Sequence, residues 1–154
     1  PSIPHSHAFT ELFYVRDGQG EFLLEDEIYP ISKDDLIIVN PHINHTEISR
    51  GNPPLSYFTV GVDGLSFSFN DQKEYRIFNC RKKKTDLLFY FNSLFQELDK
   101  LIQAMEEPEV SLEDSFQMYH QGIDMLKACN DKMDKIEKQM LVLDSEGETH
   151  EFES

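Results

Sequence analysis

Short apolar runs alternate with turn residues through the first seventy positions, and no helical period runs through them. Residues 9–15 form one apolar, aromatic run, followed by Asp17-Gly18-Gln19-Gly20. That is hairpin chemistry, because glycine accepts the positive φ such turns need. Residues 21–24, 27–31, 36–39 and 55–62 read as further strands, punctuated by Asn52-Pro53-Pro54 and Asp63-Gly64. Many short strands of this kind predict a sandwich or barrel. The period then changes. Over 86–105, Leu87, Tyr90, Leu94, Leu98, Leu101 and Met105 recur every three or four residues, the stripe of a helix. Pro108 and its acidic neighbours break it, and Ser111 opens Ser-Leu-Glu-Asp, an N-cap with acidic residues behind it. A second stripe follows through Leu112, Phe116, Tyr119, Ile123 and Leu126, skips at Cys129, and resumes at Met133, Ile136, Met140 and Leu143. The expected class is α+β: a β-module over 1–85, a long antiparallel helical hairpin over 86–143, and an acidic, disordered tail over 144–154.

Charge separates the two halves. Up to Asn92 there are 9 Lys/Arg against 13 Asp/Glu, a net of −4, whereas from Ser93 there are 5 against 16, a net of −11. So acidic a surface repels phosphate backbones, so the helical half is not expected to grip DNA directly and would work near it through a protein partner. The one short basic run, Arg81-Lys82-Lys83-Lys84, reads more simply as a solvated linker than as a phosphate contact. Cys80 and Cys129 lie in different halves without metal spacing, as reduced packing thiols of a cytoplasmic protein would. No signal-peptide pattern and no run long enough to span a bilayer stand in the sequence. The chain starts at Pro1 without Met, leaving room for earlier strands in a longer parent.

Candidate chemistry concentrates at His5-Ser6-His7, with Glu11 and Gly18 at the spacing HxHx3Ex6G. His5 and His7, two apart, would share one face of a strand, and Glu11 keeps that parity. This spacing resembles the first cupin motif. Asp35, Pro41 and His45 resemble the second, with Asp35 in place of its usual glycine and the Pro-to-His spacing one shorter. The resemblance implies a cupin-type β-barrel with His45 as fourth ligand and His42 as a nearby decoy. The wording "HAFTELFYVRDGQGEFLLEDEIYPISKDDLIIVNPHINHTE" is similar to the amino-terminal ligand-binding domain of AraC-type transcription regulators, over roughly residues 1–98. Two readings stay open: histidines that are structural or touch a small-molecule effector in the barrel, or ligands of a divalent Zn, Mn, Fe or Ni ion.

The second half resembles a different family. "ELDKLIQAMEEPEVSLEDSFQMYHQGIDMLKACNDKMDKIEKQMLVLDSEGE" is similar to the small subunit of exodeoxyribonuclease VII, most clearly at Ser-Leu-Glu-Asp-Ser and at the Tyr119-x-x-Gly122 step. The likeness covers about residues 93–152. It implies a subunit without an active site that binds the extended helical region of a large, catalytic subunit, the complex degrading single-stranded DNA. The residues agree with a non-catalytic role: His120 is isolated, and Glu113 and Asp114 suit a helix start. A lone hairpin cannot bury its whole stripe, so Phe116, Tyr119, Ile123, Leu126 and Met133 are the candidate partner-binding residues, with a second copy of the chain as another cover. Three functions follow in order: a nuclease small subunit carrying a sensor-like barrel, an AraC-type effector domain without its helix-turn-helix output, and a metal-dependent cupin enzyme.

Overall fold

The computed structural model describes residues 3–79 and 85–145. Cys80, the basic run at 81–84 and the end of the acidic tail lie outside them. Seven strands precede two helices: β1 Thr10–Asp17, β2 Gln19–Leu24, β3 Glu27–Ser32, β4 Asp35–Val39, β5 His45–Ser49, β6 Ser56–Val62, β7 Tyr75–Asn79, α1 Thr85–Met105 and α2 Leu112–Ser145. The strands form two antiparallel sheets, one in the order β6-β1-β4-β7 and the other β3-β2-β5. The α+β expectation and the cupin-like start hold. The described strands do not close into a barrel, since each sheet keeps two edge strands hydrogen-bonded on one side only.

Strand parity explains the layering. Leu12 and Tyr14 of β1 and Leu36 and Ile38 of β4 point to one face, while Phe13, Val15, Ile37 and Val39 point to the other. The second set meets Phe22, Leu24 and Ile31 of the smaller sheet. The first set meets Phe91, Leu94, Phe95 and Leu98 of α1 and Leu126, Cys129 and Met133 of α2. The central strand β4 is therefore buried along its whole length, as a strand covered on both faces must be. Three layers result: small sheet, large sheet, helical hairpin.

The connections follow local chemistry. Gly18 has φ 81° and sits so near Pro54 that an added Cβ would come within 2.3 Å of its carbonyl oxygen, so the β1–β2 turn requires glycine. At the β3–β4 turn the left-handed residue is Asp34, φ 73°. Asp35 is free to be non-glycine, and its carboxylate accepts the Ser32 N–H at 2.9 Å. The Ser111 hydroxyl accepts the Asp114 N–H at 3.0 Å, the expected N-cap. No helix among the described residues is long and apolar enough to cross a membrane.

Candidate metal centre and docking face

His5, His7, Glu11 and His45 come together, with one ligand atom from each within 4.8 Å of the others. The route differs from simple parity along one strand. Residues 6–9 are not strand; His5 forms an isolated bridge to His45, with backbone hydrogen bonds of 3.0 and 2.9 Å in the two directions. His42 stays exposed, and its N–H donates to the His7 carbonyl at 2.7 Å. It holds the His7 backbone in place. Glu11 is supplied by β1 and His45 by the first residue of β5.

Hydrogen bonds fix the ring orientations. His5 Nδ1 lies 3.0 Å from the Ile3 carbonyl and His45 Nδ1 lies 2.8 Å from that of Ile43. Donation there leaves each Nε2 as a bare lone pair, the arrangement by which backbone carbonyls orient metal-binding imidazoles. His45 is boxed by aromatics, Phe22 stacked at 5.9 Å and Phe13 edge-on at 5.8 Å. His45 Nε2 stands 2.8 Å from Glu11 Oε2, both atoms are buried, and with Nδ1 donating to Ile43 neither carries a proton to share unless the imidazole is charged. Buried polar atoms without a partner are costly. Three imidazoles and a carboxylate with their lone pairs converging fit a divalent cation.

Burial favours neutral His45, but the Glu11 carboxylate, the Ile43 carbonyl and the Glu47 charge outweigh it and raise its pKa above the ordinary 6.5. Glu47 accepts the Tyr57 hydroxyl at 2.7 Å. Burial and that bond push the Tyr57 phenol up to about 12. Neither residue stands out in the sequence. Their role follows from β5 and β6 being folded beside the cluster.

The hairpin residues divide. Leu126 and Met133 are buried against the large sheet and Ile123 is half-buried. Phe116 and Tyr119 are 56% and 47% exposed, and Leu112 is 75% exposed. These three stand at i, i+4 and i+7, one bare apolar stripe on the first turns of α2. Opposite Gly122, α1 comes close: a Cβ there would meet Leu98 and Leu101 side chains at 3.8 and 3.9 Å.

Comparison with known proteins finds two families in the chain. Residues 1–61 match a model described as "Cupin domain", and 91–142 match "Exonuclease VII small subunit". A relative from Listeria monocytogenes serotype 4a, named exodeoxyribonuclease 7 small subunit, is 40% identical over 74 residues, which is 47% of this chain and 92% of the relative. The protein of that name from Listeria innocua is 39% identical over the same shares. That from Desulfitobacterium hafniense is 34% identical over 53 residues, 34% of this chain and 68% of its own length. The chain belongs to the exodeoxyribonuclease VII small-subunit family, with a cupin domain ahead of the family's helical hairpin.

Proposed function

We propose that the chain is the non-catalytic subunit of a nuclease complex that degrades single-stranded DNA in the cytoplasm, docking on a large catalytic subunit. The carrying observation is the bare stripe Leu112, Phe116 and Tyr119, three large apolar side chains held in water by a helix that buries its stripe elsewhere. Ile123 continues the stripe towards the sheet. Leu126 and Met133 are occupied by packing within the chain, so a partner reaches the tip of the hairpin. The acidity of this half supports an approach to DNA through that partner. Co-purification of the chain with an exodeoxyribonuclease VII large subunit tests the reading. The expected result is a complex that cleaves single-stranded DNA, lost in the Phe116→Ala/Tyr119→Ala variant, with no cleavage by the chain alone. Cleavage by the chain alone, or failure to bind, overturns it.

A second reading concerns the cupin module and rests on four ligand atoms within 4.8 Å of one another and on the buried Glu11 Oε2 and His45 Nε2 facing each other at 2.8 Å. His5, His7, Glu11 and His45 would hold a divalent ion, Zn, Mn, Fe or Ni. Such an ion supplies the positive charge that the converging lone pairs lack. The residues themselves tie the 5–7 segment, β1 and β5 together. Elemental analysis of the purified protein and of His45→Ala tests this: metal present in the first and absent from the second is expected, and equal contents would mean binding elsewhere.

A further inference from the structure

A cleft of about 330 Å³ lies where the large sheet meets α1, far from both sites described above in character. Arg16 and Lys33 stand on its sheet side and Asn92, Gln96 and Asp99 on its helix side, over a floor of Phe58 and Phe95. The floor is a set of rings: Phe95 stacks on Tyr14 at 5.3 Å and meets Phe58 edge-on at 5.7 Å.

The charges in this cleft are unevenly satisfied. Asp34 accepts a hydrogen bond from the Tyr14 hydroxyl at 3.1 Å, and Asp99 accepts one from Gln103 at 3.0 Å. Arg16 and Lys33 have no side-chain partner among the described residues; the ion pairs there use Arg50, Lys73, Arg76 and Lys100. The chain carries 29 carboxylates against 14 Lys and Arg, so partners are not scarce. Exposed Lys127 and Lys135 also lack an ion pair among the described residues, so Arg16 and Lys33 are set apart by lining one cleft together and not by the missing partner alone. Arg16 also sits at a register shift in β1: Val15 pairs with Tyr57 and Asp17 with Ser56, leaving Arg16 as the bulged residue. Arg16 and Tyr14, two apart on β1, face the same side and both line the cleft.

We propose that this cleft binds a small organic anion with a flat apolar body, its carboxylate or phosphate head between Arg16 and Lys33. The guanidinium fork suits two oxygens of either head, and the ammonium adds a point charge. Phe58 and Phe95 take the apolar body, and Asn92 and Gln96 provide hydrogen bonds from one face of α1. Both modules line the site, so the ligand touches sheet and hairpin at once. The site is independent of nuclease assembly and of any metal.

Titration calorimetry of the full chain with benzoate, phenyl phosphate and benzyl alcohol tests it. At least one anion is expected to bind saturably at one site, with the neutral alcohol much weaker. The tighter of the two anions identifies the head group. Arg16→Gln and Lys33→Gln, both exposed and outside the core, should each weaken binding roughly tenfold. Saturable binding of neither anion at millimolar concentration, equal binding of benzyl alcohol, or unchanged affinity in both variants overturns the proposal.

Discussion

His45 Nε2 faces Glu11 Oε2 across 2.8 Å inside the protein, an ion pair whenever the imidazole carries a proton there. With Nδ1 of the imidazole committed to the Ile43 carbonyl, a neutral His45 sets a lone pair against a carboxylate. A proton or a metal ion relieves that opposition, and the two compete.

Metal should therefore stabilise the fold. At a free concentration a hundredfold above Kd, a site present only in the folded state adds about 2.7 kcal/mol. Thermal melts with Zn²⁺, Mn²⁺ or Ni²⁺ are expected to shift upward and to return with chelator. In His45→Ala the shift disappears. A shift of the same size in that variant would locate the metal elsewhere.

The metal-free protein should respond to pH in the opposite sense to metal uptake. His45 has its pKa raised above 6.5 on folding, so its contribution is complete below that value and is lost as pH climbs through the higher folded pKa. Metal affinity should rise over the same window, because a ligating imidazole must shed its proton. Melts across this range in chelator, compared with His45→Gln, give the check. Parallel profiles for the two proteins would rule out His45 as the titrating group.

On the hairpin, exposed and buried positions should separate stability from assembly. Leu98→Ala or Leu126→Ala removes a side chain 3% or 2% exposed and is expected to cost about 2–5 kcal/mol. Phe116→Ala removes a half-exposed ring and should cost far less, yet it should weaken the complex with a large subunit. Urea melts and pull-down on the same variants test this. Loss of binding that simply follows loss of stability across the set would remove the case for a docking stripe.

Gly122 offers a gain. Its added Cβ would meet only ordinary van der Waals neighbours at 3.8 and 3.9 Å, and its φ is not of the positive kind. Gly122→Ala should stabilise the chain by about 0.5–1 kcal/mol through helix propensity. A lower urea midpoint would mean that α1 and α2 tolerate no added methyl at their crossing.

Much of this was legible in the residues. The two periods separated sheet from hairpin, and Ser111 marked the start of α2. The gathering of His5, His7, Glu11 and His45 was legible, although the physical reason differs: His5 reaches the cluster by bridging to His45 rather than by lying on a strand with His7. Strand β5 was hidden because Thr46 and Glu47 put polar groups where an apolar alternation was sought. Strand β7 follows a long irregular stretch that offers no register. The exposure of Phe116 and the burial of Met133 look alike in sequence, since the difference depends on where the sheet beneath them ends. The bulge at Arg16 is a property of strand pairing, and pairing is not written in β1 alone.

Phe95 lies against Tyr14 and Phe58, and Phe91 against Phe78. The border between two family ancestries is thus not a physical seam. Trimming the chain to its nuclease-subunit part would bare Phe91, Leu94, Phe95 and Leu98, and trimming it to its cupin part would bare Leu12, Leu36 and Ile38. Each lineage has become the other's shelter from water. A truncation that respects the family boundary should yield two sticky fragments, and co-expressing them should restore solubility to both.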